Sequence, residues 1–235
     1  MGPGLKPAAT GFPSVDNFRE TILEVAGSSG LTLSSKQLKV LSAHHRLLVQ
    51  WGRRTNLTAI HDTEEIIRRH FMEGLLAGSF LTRNGVRGAY LDLGSGNGFP
   101  AVPIRVACAA ASPLILVESS RKRTAFLRAL VREAGWTDAR VESRRVLRGR
   151  DLEDLPCDIF TTRGVLPFPL LVEGLPFLRP GGTALLFMRR STLEREIPVL
   201  SPTLRLVAEA SLPGRQAGLL LLQKNQGPTP PECFT

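Results

Sequence analysis

Apolar positions from residue 89 onward follow two alternating patterns. Short apolar runs predict buried strands at 89–93, 114–118, 139–143, 158–162, 182–188, 203–210 and 218–223. The stretches between them, where apolar residues recur at helical spacing, predict helices at 99–110, 120–134, 166–178 and 191–199. Strands that are regularly separated by helices form βαβ units. The pattern therefore predicts an α/β fold with a doubly wound, mainly parallel, seven-stranded sheet.

The last two predicted strands are joined by a short connection that contains Pro213 and Gly214. A parallel pair needs a crossover of about a dozen residues or more, so this pair is expected to be antiparallel. The tail that follows, NQGPTPPECFT, is rich in turn residues and is expected to be irregular.

Three helices are predicted before the first strand. They cover residues 16–28, a leucine-rich stretch that begins at Ser34 or Ser35 as N-cap, and residues 63–81. The predicted organisation is a disordered leader, a helical N-terminal extension, one α/β domain that binds a cofactor, and the irregular tail. These segments are 1–15, 16–84, 85–224 and 225–235.

The stretch YLDLGSGNGFP, residues 90–100, places three alternating glycines directly after the first predicted strand. In a doubly wound sheet the ligand lies beyond the carboxyl ends of the strands, so this turn is a candidate site. A dinucleotide fingerprint, G-x-G-x-x-G, would need glycine at position 99, which is Phe99. The pattern instead resembles the first motif of class I S-adenosylmethionine-dependent methyltransferases. An ordinary glycine turn and a nicotinamide or flavin site are the alternatives. The candidate cofactor residues here are Asp92, Gly94, Ser95, Gly96, Gly98 and Phe99.

A second acidic residue ends the next predicted strand. Glu118 closes the run PLILVE, one βαβ unit after the glycines, where a carboxylate can accept hydrogen bonds from the two hydroxyls of a ribose. Since nicotinamide sites use an equivalent acid, Glu118 indicates a ribose without choosing between the cofactors. The spacing of the glycines makes that choice.

The charge of the chain favours a polyanionic partner. Lys plus Arg outnumber Asp plus Glu by 30 to 21, which gives a formal net charge of +9. A basic protein gains affinity for nucleic acid through the release of counterions from phosphates. The three cysteines lack disulfide or zinc spacing, which favours the cytoplasm and no metal. No apolar run reaches the roughly 20 residues of a membrane span, so no membrane partner is expected.

Several short motifs together carry a narrower resemblance. They are NLTAI at 56–60, RRHFMEGL at 68–75, LDLGSGNGFPAVPI at 91–104, SSRKRTAFLR at 119–128, SR at 143–144 and TTRGV at 161–165. In this order they resemble the bacterial small-subunit (16S) ribosomal RNA methyltransferase G family, also called glucose-inhibited division protein B. The resemblance covers roughly residues 35–224, and the motif GSGxGFP followed by K-R-x-x-F-L is highly specific.

The resemblance implies methylation of nitrogen 7 of one guanine in the 530 loop of 16S ribosomal RNA, with S-adenosyl-L-methionine as cofactor. It further implies a Rossmann-like fold, a monomer, and 16S rRNA or the 30S subunit or its precursor as partner. By the same resemblance the cofactor contacts fall on Gly94, Phe99, Arg145, Val146 and Arg163.

The chemistry asks little of the protein beyond alignment. Nitrogen 7 of guanine has a free lone pair at neutral pH, so no general base and no nucleophilic side chain are needed. No catalytic residue is certain, and Arg163, at the end of the fourth predicted strand, is the candidate. Cys157 lies in LPCD before that strand and is interpreted as a small buried residue, not as the nucleophile of a cytosine methyltransferase.

Basic residues near the predicted site are candidates for RNA contact. Two clusters at the ligand-bearing edge of the sheet suit the phosphate backbone, which positions RNA without reading its sequence. The alternative is a solvated cationic face. The candidates are Arg68, Arg69, His70, Arg121, Lys122, Arg123, Arg189 and Arg190.

The chain departs from the family pattern at several positions. No acid follows Arg144 before Asp151, TTRG replaces the usual S-R-A, and Glu73-Gly74 replaces the usual Asp-Ser. These departures motivate a second hypothesis, a methyltransferase fold retained as an RNA-binding or ribosome-assembly protein with weak or lost catalysis. A small-molecule methyltransferase is a third, which the charge and the N-terminal motif disfavour.

Overall fold

A computed structural model of the chain describes residues 17–55, 63–164, 168–196, 201–212 and 218–226. The leader predicted at 1–15, the NLTAI motif, the connection at Pro213-Gly214 and most of the predicted irregular tail lie outside these ranges. In the described part, no helix combines the length and apolar character that crossing a bilayer requires.

The sheet has seven strands in the order β3-β2-β1-β4-β5-β7-β6. Its strands are β1 (Gly88–Leu93), β2 (Ala111–Glu118), β3 (Ala139–Ser143), β4 (Cys157–Thr162), β5 (Leu178–Phe187), β6 (Leu204–Ser211) and β7 (Gly218–Lys224). The first five pair in parallel, whereas β7 is antiparallel to both β5 and β6. The predicted doubly wound, mainly parallel sheet and its antiparallel final pair are confirmed.

The helices are α1 (Phe18–Ser28), α2 (Ser35–Thr55), α3 (Thr63–Ile66), α4 (Met72–Arg83), α5 (Ala101–Ala107), α6 (Arg121–Glu133), α7 (Phe168–Val172) and α8 (Arg190–Glu196). The helix predicted at 166–178 is wrong over its second half, because Leu175 adopts a positive φ of 51° and β5 already begins at Leu178. The helix predicted at 99–110 is also shorter than expected, since its last turn ends before Cys108.

Two features of the N-terminal helices refine the prediction. Ser34 caps α2, because its hydroxyl accepts from Gln37 N at 3.3 Å and its own N–H donates to Gln37 Oε1 at 2.8 Å. The single helix predicted at 63–81 is α3 and α4 joined by a π-helical turn, Ile67–Phe71. Such turns are rare and often mark functional sites.

Two hydrophobic clusters cover the two faces of the sheet. Successive side chains of a strand point to opposite faces, and accordingly Tyr90 belongs to one cluster and Leu91 to the other. The first cluster also contains buried residues of α1, α2 and α4 together with α5 and α6, whereas α7 and α8 contribute to the second. The N-terminal helices therefore share a hydrophobic core with one face of the sheet.

Two glycines let α4 lie close against α5. A Cβ built on Gly78 would lie 2.6 Å from the carbonyl oxygen of Ile104, and one on Gly74 would lie 2.6 Å from Cβ of Pro103. Both distances are shorter than van der Waals contact, so larger residues would force the helices apart. Gly74, one of the departures from the family pattern, thus has a packing role.

We expect Gly78→Ala to destabilise the protein by about 1–3 kcal/mol, because the added methyl meets the backbone of α5, which cannot rotate away. Chemical denaturation checks this. The matched control is Gly27→Ala in α1, where an added Cβ meets no atom of the described residues within 4 Å. The free energy of unfolding of that variant should rise by up to about 1 kcal/mol, because alanine has a higher helix propensity than glycine. Equal effects of the two substitutions would contradict the close packing of α4 on α5.

Candidate functional site

The glycine turn, residues 94–98, is held by hydrogen bonds from β1 and β2. The carbonyl oxygen of Val117 accepts from the N–H groups of Gly94 and Ser95, at 2.9 and 3.1 Å. The hydroxyl of Ser95 donates to the carbonyl of Asp92 at 2.9 Å, and Ser95 is buried. The predicted site residue Ser95 therefore braces the turn through its side chain.

All three glycines of the turn have positive φ, at 74° for Gly94, 54° for Gly96 and 83° for Gly98. Residues with a side chain rarely adopt this region. A Cβ on Gly98 would also lie 3.0 Å from Leu130 and 3.2 Å from the ring of His44. Among the described residues, the only neighbour within 4 Å of a Cβ added to Gly96 would be the carbonyl of Gly94, at 3.7 Å, so open space borders the turn there.

Glu118 ends β2 beside the turn, as predicted. Its Oε2 accepts from Gly96 N at 2.9 Å, and its Oε1 accepts from Ser120 N at 2.8 Å. The hydroxyl of Ser119 also lies 3.5 Å from Oε1, whereas Oε2 can accept a second hydrogen bond. The side chain is thus fixed by backbone donors and keeps acceptor capacity for a ligand hydroxyl.

Asp92 is a buried carboxyl at the end of β1. The hydroxyl of Thr161, on β4, donates to its Oδ1, and the hydroxyl of Tyr90 lies 2.7 Å from that of Thr161. Oδ2 has no hydrogen-bond partner among the described residues. Burial raises the pKa of Asp92 from 3.8 to about 7, which the hydrogen bonds from Thr161 and Ser95 partly oppose. A buried acid with one unsatisfied oxygen at a strand end is a candidate for pairing with a cationic ligand group.

Phe99 is stacked between two histidines from the N-terminal helices. The ring of His44 lies 4.5 Å from it and that of His70 lies 5.0 Å from it, each at 27°, while Phe71 packs edge-on at 5.0 Å. His70 and Phe71 belong to the π-helical turn. The stack joins three separate segments of the chain at the glycine turn.

His44 was not predicted as a site residue. Its Nε2 lies 2.7 Å from the carbonyl oxygen of Asn97, so Nε2–H is the donor and the ring holds the middle of the turn. Burial lowers the pKa of His44 from 6.5 to about 3, which keeps the ring neutral at physiological pH. The sequence offered no signal for this contact, since a helical pattern does not say which residue of α2 meets a distant turn.

Arg163 follows β4 and faces the N-terminal helices. Its Nη1 lies 2.5 Å from Oε2 of Glu73, and its Nη2 donates to Nδ1 of His70 at 2.9 Å. The structure therefore brings the candidate Arg163 together with His70 and Glu73, and Glu73 is a partner that sequence analysis did not assign.

The chain after β3 runs beside Glu118, where Arg144 N donates to the Glu118 carbonyl at 3.2 Å. The guanidinium of Arg144 is bound by both carboxylate oxygens of Asp154, at 2.7 and 2.8 Å. Of the two residues predicted here as cofactor contacts, Arg145 is exposed, and Val146 is half-buried against the second cluster.

The basic candidates differ in what they contact. Arg68, Arg69 and Arg190 each form an ion pair one helical turn away, with Glu64, Glu65 and Glu194 respectively. Arg189 is exposed at the end of β5. The exposed side chains of Arg121, Lys122 and Arg123 lie in the first turn of α6, directly after the residue that binds Glu118.

Cys157 and possible metal ligands add no chemistry to the site. The thiol of Cys157 is fully buried, and burial raises its pKa to about 12, so it is a poor nucleophile, in agreement with its interpretation as a packing residue. Within the described ranges, His, Cys, Asp and Glu side chains form no group of three or more that could hold a metal ion.

The fold is that of Rossmann-like class I methyltransferases. An O-methyltransferase from Bacillus cereus, solved in complex with S-adenosylhomocysteine, superposes with a TM-score of 0.56 over 90% of this chain and 100% of its own, at 14% identity. At that identity the similarity concerns the fold alone.

The family follows from sequence comparison. The family described as rRNA small subunit methyltransferase G matches residues 37–209. The ribosomal RNA small subunit methyltransferase G of Chloroflexus aggregans is 33% identical over 224 residues, which cover 91% of this chain and 92% of that protein. The protein of the same name from Acetivibrio thermocellus is 30% identical over 83% of each chain. The chain belongs to the rRNA small subunit methyltransferase G family, and the predicted resemblance is confirmed.

The raised pKa of Asp92 predicts a pH-dependent stability for the ligand-free protein. Between its unfolded value of 3.8 and its folded value of about 7, the folded state binds more protons than the unfolded state, so this residue makes folding less favourable as pH rises. Asp92→Asn has no proton to release. We therefore compare the melting temperature of this variant with that of the unmodified protein at each pH. We expect this difference, variant minus unmodified, to be roughly 5 °C larger at about pH 8 than at about pH 5.

The control is Asp138→Asn. The pKa of Asp138 is lowered, mainly by the hydroxyl of Ser112, so this carboxylate is ionised in both states over that range. Its substitution should shift the melting temperature by the same amount at both pH values. An Asp92→Asn difference that did not change with pH would refute the raised pKa.

Proposed function

We propose that the chain transfers a methyl group from S-adenosyl-L-methionine to nitrogen 7 of a guanine in the 530 loop of 16S ribosomal RNA. The observation that carries this proposal is the glycine turn of a member of this family, braced by β2 and bordered by Glu118. The protein would act in the cytoplasm as a monomer, on 16S rRNA or on a 30S particle.

The residues around the turn fit the cofactor. Open space borders Gly96, and the carboxylate of Glu118 keeps acceptor capacity for ribose hydroxyls. Oδ2 of Asp92 has no hydrogen-bond partner in the described part of the chain, so it can accept from a cationic amino group. The three glycines allow close approach of the ligand to the backbone. The proposed cofactor contacts are Asp92, Gly94, Gly96, Gly98, Phe99, Glu118, Arg145, Val146 and Arg163.

The reaction needs positioning more than proton transfer. When bound, the cofactor supplies a methyl group on a positively charged sulfur, and nitrogen 7 of guanine supplies the lone pair that forms the new bond, while the carbon–sulfur electron pair stays on sulfur. No proton is removed, so the side chains of the site have to align the methyl donor with the acceptor nitrogen and need not accept a proton. Arg163, fixed by Glu73 and His70, is the candidate for holding the target base or the cofactor.

The RNA would approach the carboxyl edge of the sheet. Arg121, Lys122 and Arg123 are exposed there at the start of α6, next to Glu118. We assign them the phosphate backbone, which fixes position without reading sequence. Arg68, Arg69 and Arg190 would have to exchange their carboxylate partners for phosphates, so we expect smaller contributions from them.

The deciding experiment is methyl transfer to 30S particles that lack the modification. The protein is incubated with labelled S-adenosylmethionine and these particles, and the 530 loop is mapped by mass spectrometry. We expect one methyl group on nitrogen 7 of one guanine. Binding to the particles with no methyl transfer would favour the alternative, an RNA-binding or assembly protein, which the family comparison does not favour.

Asp92 also predicts the pH dependence of cofactor binding. A ligand with a cationic amino group favours the ionised carboxylate, whose pKa without ligand is about 7. We expect the affinity for S-adenosylhomocysteine to fall below pH 7, by up to about tenfold per pH unit. Calorimetric titration measures it. Asp92→Asn should bind more weakly at neutral pH and lose this pH dependence, and retention of the dependence would assign it to another group.

A further inference from the structure

A groove of about 770 Å³ lies at the amino ends of the parallel strands, whereas the glycine turn lies at their carboxyl ends. One side of it is the loop Asn84–Arg87, which joins α4 to β1, and the floor comes from β5, β7 and β6. Asp158, at the start of β4, also lines it, so the groove opens at the amino ends of the parallel strands. None of the residues that line it belongs to the proposed cofactor or RNA contacts.

The floor of the groove is a polar row across three strands. Thr183 of β5 pairs with Gln223 of β7, and Gln223 pairs with Arg205 of β6, so the three side chains lie side by side on one face. Two residues further along, the same face carries Leu185 and Leu221, both in the hydrophobic cluster. At the amino ends of the strands this row therefore replaces the apolar side chains of that face with polar ones.

One member of the row is unsatisfied. Thr183 is only 6% exposed, and its hydroxyl has no hydrogen-bond partner among the described residues. By contrast, Gln223 is engaged at both ends, because its Oε1 accepts from Arg205 at 2.7 Å and its Nε2 donates to the Gly181 carbonyl at 3.2 Å. A buried hydroxyl without a partner is costly unless a water or a ligand atom completes it.

The groove carries uncompensated positive charge. Arg87 is exposed and makes no ion pair within the described ranges, and the partner of Arg205 is a neutral amide. The single acid in the lining, Asp158, is already engaged by the guanidinium of Arg179 at 2.9 Å and by the N–H of Ala89 at 2.8 Å. Two guanidinium groups, a hydroxyl and side-chain amides are the donor set that binds phosphate oxygens.

We propose that this groove binds the phosphodiester backbone of the substrate RNA, as a second contact remote from the site of methyl transfer. The inference rests on the proposed function for the identity of the RNA, but not for the chemistry of the groove. Exposed Val207, on the rim, offers an apolar surface to a ribose or a base. An open groove with two cationic side chains suits a continuous strand. A free nucleotide has the same phosphate chemistry, and the test distinguishes it from RNA.

The test compares RNA binding by Arg87→Gln/Arg205→Gln with that of a control that loses the same charge elsewhere, Arg19→Gln/Lys39→Gln. Arg19 and Lys39 are exposed on α1 and α2 and lie outside the groove. Fluorescence anisotropy with a labelled 16S rRNA fragment that contains the 530 loop is recorded over a salt series. We expect the groove variant to bind RNA about tenfold more weakly. The steepness of the fall of log affinity with log salt should be smaller by one to two for this variant.

Affinity for S-adenosylhomocysteine reports separately on the fold and the cofactor site, and it should be unchanged in both variants. Groove and control variants with equal RNA affinity and equal salt slope would overturn the proposal. So would micromolar binding of adenosine monophosphate that is lost in the groove variant while RNA affinity matches the control, since the ligand would then be a free nucleotide.

Thr183→Val gives a second, independent reading. Removing an unsatisfied buried hydroxyl should raise the melting temperature, while the loss of a phosphate donor should weaken RNA binding a few-fold. Unchanged RNA affinity in this variant would remove Thr183 from the site. If the unmodified protein fails to methylate the 530 loop, yet the groove variant still loses RNA affinity against its control, the proposed function fails and the groove stands.

Discussion

The hydrogen bonds from β2 to the glycine turn are the constraint on which the site depends. The carbonyl of Val117 takes two N–H groups of the turn, and the carboxylate of Glu118 takes a third, from Gly96. Because β1 and β2 are adjacent parallel strands, their carboxyl ends lie next to each other at this point. The same carboxylate that fixes the turn is the group expected to face the ribose, so the shape and the chemistry of the site have one origin.

The N-terminal helices complete the turn from the other side. His44 contacts the carbonyl of Asn97, and the rings of His44 and His70 enclose Phe99. Arg163 then links His70 and Glu73 to the end of β4. A displacement of these helices would therefore disturb the turn, Phe99 and Arg163 together. The N-terminal helices and the glycine turn are thus mechanically coupled.

The sequence was sufficient for the sheet but not for the contacts between distant segments. Seven apolar runs with intervening helical patterns led to the observed strands, and the glycine spacing located the turn. The helix predicted at 166–178 failed because its apolar spacing continues through Leu175, where the backbone turns, into residues that belong to β5. The roles of His44, Asn97 and Glu73 arise from tertiary contacts, which leave no local pattern. Several predicted basic contacts, notably Arg68 and Arg69, are engaged in ion pairs one helical turn away.

The π-helical turn between α3 and α4 determines which way the side chains of α4 point. A wider turn holds one residue more than an α-helical turn, which rotates the later side chains by about 100° relative to a regular helix. With that rotation, Phe71 reaches Phe99 while Gly74 and Gly78 face α5. A one-residue insertion or deletion in this segment would thus change which side chains of α4 face α5 and which reach the glycine turn. The register along this helix therefore limits how freely the segment can change in length.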